Sequence, residues 1–369
     1  MTKFTISTKP LKNSIGIGIV DSNITQYYQK SMVAQLTVDA NYLSIDVESV
    51  AIISEIRLAG SLEGDPATII VDSAQFKKLV STITAPQITM IFNEDFLEIM
   101  AGKSRFTLPT IMDASEVSIN KPTNVGKLSS QAVTLEKSGW AFVKAHQMFA
   151  KATDTKYPVY TYVYSGKDGD VLVGNMQTSL FTHSNNTSTF DNTCLLSDSI
   201  INLLTSMPDG ASIYSNGDSY VIHVKTDGYE FTSEFTPQYE SDVWDYNASS
   251  IIPLMSVVGL PVSSASVSEI KTMLAQVSLV ANRDSVIRCE VSSDHITFTA
   301  DGALCEIDAA GGPSDPYTVI LPISDLKTII GNVSETTIGI SPTYNSDDEL
   351  AGITITSGNL TIVVASVNG

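Results

Sequence analysis

Short apolar runs return along the chain at intervals of 125 residues, and each is followed by residues that favour a helix start. The runs are "IIV" at 69–71, "CLL" at 194–196 and "VIL" at 319–321. Serine and aspartate follow each run within four residues, and their side-chain oxygens can cap the first N–H groups of a helix. The pattern therefore predicts the same strand-to-helix element at three places.

The predicted helices also share apolar positions at the same offset. Two positions three residues apart recur in each copy: Phe76 and Leu79, Ile201 and Leu204, and Leu326 and Ile329. Residues at this spacing lie on one helical face. We therefore expect each helix to pack that face against a sheet.

Alternating apolar and polar residues around these helices predict further strands. They include "ITMIF" at 88–92, "ASIYS" at 211–215 and "TTIGI" at 336–340, and Phe106 and Phe231 again lie 125 residues apart. Several matches in one order indicate three related domains, 1–125, 126–250 and 251–369, which we call repeats 1, 2 and 3. The predicted fold class is α+β, mostly strands with about two helices in each domain.

Charge first argues against a nucleic-acid partner, because the 369-residue chain has a net charge of -19. An evenly spread negative charge repels phosphates. Arginine, the usual side chain for bidentate reading of guanine, occurs only four times. Sequence-specific DNA reading is therefore disfavoured, and non-specific binding requires that the charge be segregated.

Cysteine and histidine usage argues against a metal site, a disulfide framework or any cofactor. The three cysteines, Cys194, Cys289 and Cys305, form no CxxC pair, and the four histidines have no zinc-like spacing. The first residues lack the apolar core of a signal peptide, and no apolar run is long enough to cross a bilayer. We expect a soluble, cytoplasmic protein with no membrane contact.

The lysines are concentrated on predicted helices. The five clearest helical segments (72–84, 135–152, 197–208, 264–282 and 322–333) contain seven lysines and five acids, which leaves -21 for the rest of the chain. In the segment 135–152, Lys137, Lys144 and Lys151 form one stripe, opposite the apolar cluster of Phe142, Val143, His146, Phe149 and Ala150. Helix exteriors are therefore predicted to be basic, and strands and loops acidic.

A basic residue also follows the first helical region of each repeat. These residues are Lys30, Lys156 and Arg283, and Tyr27, Tyr28 and Tyr157 lie beside the first two. Lysine next to aromatic rings suits contact with a sugar-phosphate backbone or a stacked base, although such loops are also common without a function.

Three tandem β-rich domains with basic helices resemble the bacterial DNA sliding clamp, the β subunit of DNA polymerase III. The local match is strongest at 101–117, where "AGKSRFTLPTIMDASEV" resembles the family segment "sGrSrFsLsTLpaadFP". The stretch "TIIVDSAQFKKLV" and the ending "TIVVASVNG" resemble the family's "attVPArkffdi" and "yVVMPmRL". The resemblance covers the whole chain as a pattern more than as identity.

The resemblance implies a non-catalytic processivity factor of DNA replication. Two subunits would close head to tail into a homodimeric, pseudo-sixfold ring around duplex DNA, with helices inside and sheets outside. The implied DNA-facing residues are Lys12, Tyr27, Tyr28, Lys30, Lys78, Lys137, Lys144, Lys151, Lys156, Tyr157, Lys271, Arg283 and Lys327.

Two further sites are implied by the resemblance. A pocket for short peptides of the polymerase and the clamp loader would contain Val159, Asn175, Leu180, Val243, Tyr246, Val363, Val364 and Ala365. The chain departs from the family there, with "NMQTSL" for "TDGHRL" and Ala-Ser for Met-Pro. The ring-closing contact would join Phe106 and Leu108 to Leu279 and Val280 of the other subunit.

Two other classes of function stay open on the sequence. A β-rich viral structural or attachment protein would explain the Ser and Thr content and "HSNNTSTFDN", but not the repeated lysine stripes. An enzyme would need carboxylate pairs such as Asp242 with Asp245 or Asp347 with Asp348, which lie in no acid-base motif, or a dinucleotide site at "GIGIV" near Gly16, which lacks its third glycine. Low arginine and the altered pocket suggest a divergent clamp, and a phage origin is a hypothesis from composition.

Overall fold

The computed structural model describes residues 2–19, 33–49, 51–111, 118–130, 132–146, 162–166, 169–174, 178–183, 190, 193–238, 262–280, 285–345, 347–358 and 360–367. Among them are the helices α1 Thr8–Gly18, α2 Ser73–Thr82, α3 Lys137–His146, α4 Asp198–Ser206, α5 Val267–Val277 and α6 Ile323–Asn332, with a 3₁₀ turn at Val125–Lys127.

All strand pairs in the described ranges are antiparallel. Repeat 1 has β1 Thr2–Ser7, β2 Val33–Asp39, β3 Tyr42–Glu48, β4 Ile52–Ala59, β5 Ser61–Glu63, β6 Ala67–Asp72, β7 Gln87–Phe92, β8 Phe96–Ala101 and β9 Ser104–Pro109. Repeat 2 has β10 Val133–Thr134, β11 Val163–Ser165, β12 Asp170–Gly174, β13 Thr178–His183, β14 Cys194–Leu196, β15 Ser212–Asn216, β16 Ser219–Lys225 and β17 Tyr229–Phe235. Repeat 3 has β18 Ser263–Ser266, β19 Val286–Val291, β20 His295–Ala300, β21 Ala303–Ala310, β22 Tyr317–Pro322, β23 Thr337–Tyr344, β24 Leu350–Ser357 and β25 Leu360–Ala365.

The strand-to-helix element predicted at three places is confirmed. Strands β6, β14 and β22 lead into α2, α4 and α6, and the first shared apolar position is 0%, 0% and 2% exposed at Phe76, Ile201 and Leu326. The second shared position is buried at Leu204 and Ile329, but Leu79 is only half-buried, because Val80 takes the core-facing place in α2.

Helix α1 was not among the five predicted helical segments. Its sequence, TKPLKNSIGIG, contains Pro10, Gly16 and Gly18, which lower intrinsic helix propensity. Leu11 and Ile15, one turn apart, are nevertheless buried on one face, and Ile17 is buried on a neighbouring face. Tertiary packing of that apolar face stabilises a helix that local propensity does not favour.

The described chain divides into two compact units. The first comprises Met1–Trp140 and Ser197–Gln238, and the second comprises Ala141–Leu196 and Tyr239–Gly369. Each unit combines part of repeat 2 with a neighbouring repeat. The domain boundaries near 125 and 250 stay a prediction.

The first unit contains a five-stranded sheet, β5-β1-β7-β8-β9, and an eight-stranded sheet, β10-β15-β16-β17-β4-β3-β2-β6. The larger sheet crosses from one repeat to the next where β4 pairs with β17. Along β4, Ile52, Ile56 and Leu58 point into the core while Arg57 is exposed. This alternation is the period-two pattern of a sheet with one buried face.

The second unit contains a twelve-stranded sheet in the order β14-β11-β12-β13-β25-β24-β23-β18-β21-β20-β19-β22. It also crosses between repeats, where β13 of repeat 2 pairs with β25 of repeat 3. Val364 and Ile362 on β25 are fully buried. Both units therefore use the same device, in which the last strand of one repeat extends the sheet of the repeat before it.

Carboxylates of two strands in the first unit hold the connector at 118–124. Glu48 accepts hydrogen bonds from the N–H and the side-chain amide of Asn120, at 2.8 and 3.0 Å, and Glu234 accepts one from the Thr123 N–H at 2.8 Å. Burial opposes the ionisation of Glu234, but hydrogen bonds from Ser219, Thr123 and Asn216 more than offset it, so its pKa lies below its ordinary value. The connector is thus tied to strands of both repeat 1 and repeat 2.

Candidate nucleic-acid interface

Helices α1 and α2 pack side by side in the first unit and are joined by two lysines. Lys12 of α1 donates to the Ser81 carbonyl at 2.9 Å, and Lys77 of α2 donates to the Ile19 carbonyl at 2.6 Å. Each ammonium satisfies a carbonyl at the end of the other helix, where unpaired acceptors and the negative end of the helix dipole favour a cation. Lys12 and Lys77 therefore stabilise the helix pair as well as adding positive charge.

Two further lysines on the same helices are exposed. Lys78 follows Lys77 on α2 and points into solvent, as predicted, and Lys9 lies one turn before Lys12 on α1. Sequence reasoning missed Lys9, because the first helical region of repeat 1 was not among the segments whose bounds were assigned. A lysine repeated at i and i+3 would have been the available signal.

A cleft of about 600 Å³ opens beside these lysines. Its walls are the first turns of α1 and the 83–86 segment, and it is lined by Lys9, Lys12, Asn13 and Thr84 among others. The described lining includes no acidic residue. An anion is therefore the ligand that its charge favours.

The helices of repeat 2 differ from this pair. On α3, Lys144 is exposed and Lys137 half-buried, whereas Trp140 and Val143 are fully buried. Phe142, predicted in the apolar cluster, is only half-buried, and the core stripe instead runs through Trp140. Helix α4 carries no lysine and one acid, Asp198.

Helices α5 and α6 pack together in the second unit. Their predicted DNA-facing residues, Lys271 and Lys327, are both exposed. Each helix also carries an acid, Glu269 on α5 and Asp325 on α6, so both helices are electrically neutral. The other predicted DNA-facing residues lie outside the described residues: Tyr27, Tyr28, Lys30, Lys151, Lys156, Tyr157 and Arg283.

The predicted peptide pocket is described only in part. Strand pairing aligns Leu180 of β13 with Ile362 and Ser179 with Val363 of β25, which brings Leu180 and Val363 onto adjacent strands. Val363 and Ala365 are half-buried and Val364 is fully buried. Val159, Asn175, Val243 and Tyr246 lie outside the described residues.

The residues predicted to close a ring lie beside two sheet edges, β9 and part of β21, that have no further strand partner within the described ranges; we call them the open edges. Phe106 and Leu108 lie on β9, the last strand of the five-stranded sheet, where Phe106 is half-buried and Leu108 is 8% exposed. Leu279 and Val280 follow α5 and are 86% and 56% exposed. Nearby on the chain, the Ala303–Asp308 part of β21 pairs with β20 alone within the described ranges, and Leu304 on it is 69% exposed.

The described candidates for an enzyme site do not have a catalytic geometry. Ser292 and Asp294 both contact His295, but both contacts go to its Nδ1, at 2.9 and 2.8 Å, so no Ser-His-Asp relay exists. Asp347 and Asp348 lie exposed in the turn between β23 and β24, and Gly16 lies inside α1 rather than in a strand-to-helix turn. Asp242 and Asp245 lie outside the described residues.

Metal-ligand side chains are likewise scattered. Among the residues that the structure describes, no group of three or more His, Cys, Asp or Glu side chains is placed to hold a metal ion. Over the same ranges, no helix has both the length and the apolar character that a bilayer crossing requires.

Solved structures with the same architecture include several bacterial replication proteins. A DNA polymerase sliding clamp from Pseudomonas aeruginosa matches with a TM-score of 0.75 at 14% identity, and a DNA polymerase III β subunit from Thermotoga maritima with 0.76 at 13%. A putative DNA polymerase III β subunit from Eubacterium rectale matches with 0.77 at 12%. Each match covers 100% of both chains.

The chain has the fold of the bacterial DNA sliding clamps. No protein-family model matches it, and a search of curated proteins finds no match. The clamp fold confirms the predicted α+β class.

Proposed function

We propose that the protein is a DNA sliding clamp, in which two copies close head to tail into a ring around duplex DNA. The observation that carries the proposal is the pair of open edges, β9 and β21. By position in the repeat, β21 corresponds to β4 and β9 corresponds to β17, and β4 and β17 are the strands that join repeats 1 and 2 within the chain. A second copy would supply at each seam the partner that the chain supplies internally at β4–β17 and β13–β25.

The correspondence of β21 with β4 follows from two alignments of strand pairs. Ser61 pairs with Thr5 in repeat 1 and Ala310 pairs with Ser264 in repeat 3. Thr5 and Ser264 both lie two residues before the N-cap of the following helix. Ala310 thus lies 249 residues after Ser61. The first residues of β3 and β20 give the same offset, because Tyr42 pairs with Ala59 and His295 pairs with Asp308. Arg57 of β4 therefore corresponds to Glu306 of β21.

The correspondence of β9 with β17 follows the 125-residue repeat. Phe106 takes the place of Phe231, and Arg105 takes the place of Glu230. Within the chain, Glu230 faces Arg57 across β17–β4. At the seam, Arg105 would face Glu306 of a second copy, so an opposite-charge pair is kept with its signs exchanged. Such cross-strand pairs favour one register.

The local environment of Arg105 supports this role. Its Nε lies 2.5 Å from the carboxylate of Glu98, which is 7% exposed, while the Arg105 side chain is 66% exposed. A buried acid thus holds the guanidinium at the open edge. The exposed Leu279, Val280 and Leu304 add the apolar surface that a stable interface buries.

The charge distribution supports DNA as the molecule inside the ring. The six described helices carry eight lysines and three acids, whereas the chain as a whole has a net charge of -19. A basic lining attracts phosphates without fixing a register, and an acidic exterior disfavours binding outside the ring. The protein would act in DNA replication as a non-catalytic factor, tethering a polymerase and a clamp loader through peptides bound near β13 and β25.

Retention on circular DNA tests the topological function. The protein is loaded on a nicked circle with a cognate clamp loader, the DNA is isolated by gel filtration, and half of it is then linearised. A sliding clamp stays on the circle and leaves the linear DNA from its ends. Equal retention on both forms would contradict the proposal and favour simple surface binding or a structural role.

Charge exchange tests the proposed seam. Arg105→Glu and Glu306→Arg should each weaken the dimer about tenfold, and the double variant should recover part of that loss, because the exchanged pair is again opposite in sign. Arg288→Glu is the matched control, because Arg288 is exposed on β19, which is already paired with β20 on one side and β22 on the other. It should leave the dimer unchanged. Sedimentation over a concentration series measures the effect. Additive losses in the double variant would contradict the register.

A native cysteine offers an independent probe of the same seam. Cys305 is half-buried on β21, whereas burial raises the pKa of Cys194 and Cys289 to about 12 and makes them poor nucleophiles. Thiol alkylation of Cys305 should therefore slow several-fold as the protein concentration passes through the dimer dissociation constant. A rate independent of concentration would place Cys305 outside the interface.

A further inference from the structure

The positive charge of the described helices is unevenly distributed. Helices α1 and α2 carry two lysines each and no acid, and α3 carries two lysines. Helix α4 carries only Asp198, and in α5 and α6 one lysine is matched by one acid. A lining built from six equal helices would not show this gradient.

Three of the repeat 1 lysines lie at the same end of the helix pair. The Lys12 ammonium donates to the Ser81 carbonyl near the end of α2, and Lys78 lies one turn before Ser81 on that helix. Lys9 lies one turn before Lys12 on α1. We call Lys9, Lys12 and Lys78 the repeat 1 lysine cluster.

The surroundings of the cluster favour an anion. Lys9 and Lys12 line the cleft of about 600 Å³ between α1 and the 83–86 segment, and its described lining includes no acid. Asp72, the acid that directly precedes α2 in the chain, lies at the opposite end of that helix and is its N-cap, accepting from the Gln75 N–H at 2.7 Å. The positive charge of the cluster is therefore not neutralised on its own helices.

The corresponding helices of repeat 3 show which residues make the difference. N-caps Ser7 and Ser266 align α1 with α5, and the strand-to-helix elements align α2 with α6 at an offset of 250. Lys12 then corresponds to Lys271 and Lys77 to Lys327. Lys9 and Lys78 instead correspond to Ser268 and Thr328.

We propose that the clamp holds duplex DNA mainly at the repeat 1 lysine cluster, where Lys9 and Lys78 contact backbone phosphates, and only weakly at α5 and α6. The proposal rests on the proposed function as a DNA clamp. Lys12, fixed by its bond to Ser81, supplies a third positive charge in a set position. The duplex would accordingly be displaced towards repeat 1 rather than centred among the helices.

The test exchanges the repeat 1 and repeat 3 patterns without touching the lysines that join helices. Variant one is Lys9→Ser with Lys78→Thr, and its matched control is Lys271→Ser with Lys327→Thr, which removes the same charge from repeat 3. The reciprocal variant is Ser268→Lys with Thr328→Lys. Binding to a short linear duplex is measured by fluorescence anisotropy over a salt series, with thermal unfolding as the folding control.

The slope of log K against log[salt] is negative, and each lost phosphate contact reduces its magnitude by about 0.9. In variant one the magnitude of the slope should fall by about 2 if the cluster of one copy binds the duplex, and by about 4 if the clusters of both copies do. In the repeat 3 control it should fall by less than about 1. The reciprocal variant should steepen the slope. Equal losses in variant one and the control, or no loss in either, would overturn the proposal.

The two proposals fail in different ways. If the wild-type protein is not retained preferentially on circular DNA, the clamp function itself is wrong. If it is retained but the two double variants have equal salt slopes, the clamp function stands and the concentration of phosphate contacts on repeat 1 is wrong.

Discussion

The helix pairs of repeats 1 and 3 share a central core position and differ in their exposed charge. Phe76 in α2 and Leu326 in α6 occupy the same core position and are both at most 2% exposed. On the surface, the first pair has four lysines and no acid, and the second has two lysines and two acids. Because Ser268 and Thr328 occupy the positions of Lys9 and Lys78 in repeat 3, the fold does not require a lysine at either position, which supports the proposed phosphate contacts of Lys9 and Lys78.

Truncation of the shared core position should have the largest effect on stability. Phe76→Ala is expected to lower the free energy of unfolding by about 3 to 5 kcal/mol and Leu326→Ala by about 2 to 5 kcal/mol, because each leaves a cavity in a buried face. Urea unfolding followed by circular dichroism measures both. Lys78→Thr, on the exposed face of the same helix, should change stability by less than about 0.5 kcal/mol. A comparable loss from Lys78→Thr would show that the lysine is structural.

Removal of helix caps should have an intermediate effect and should differ between the pairs. Asp72→Ala removes the 2.7 Å bond to the Gln75 N–H and should cost about 1 kcal/mol. Ser266→Ala in repeat 3 removes a longer bond, 3.4 Å to the Glu269 N–H, and should cost less. Ser7→Ala serves as the control, since the Ser7 side chain makes no cap bond. Equal losses at all three positions would contradict the cap assignments.

Removal of the Lys12 ammonium, which hydrogen-bonds α1 to α2, should have the smallest effect on stability. Lys12→Met keeps most of the aliphatic stem but removes the bond to the Ser81 carbonyl, and should cost about 0.3 to 1 kcal/mol at low salt. Lys271→Met, at the corresponding exposed position of α5, should be close to neutral. Thermal unfolding at two salt concentrations measures the difference, which should shrink as salt screens the charge. A larger loss of stability from Lys271→Met than from Lys12→Met would contradict the stabilising role of the Lys12 hydrogen bond.

Several features were predictable because they depend on local pattern. The period of 125 residues located the strand-to-helix elements at β6–α2, β14–α4 and β22–α6. Helix α1 escaped prediction because Pro10 and two glycines mask its apolar face. The half-buried state of Leu79 and Phe142 also escaped, because burial at the margin of a helical stripe depends on what packs against it.

The sequence by itself determined the repeat, the β-rich class and the concentration of lysines on helices, since each follows from periodicity or composition over short stretches. The tertiary structure decided which strands join the repeats, which edges stay open and which lysines cap a neighbouring helix. Those features depend on contacts between residues far apart in the chain, such as Ser54 and Ser233, 179 residues apart and hydrogen-bonded at 3.0 Å across β4 and β17. A strand's own pattern specifies which face is buried, but its partner is set only when the sheets assemble.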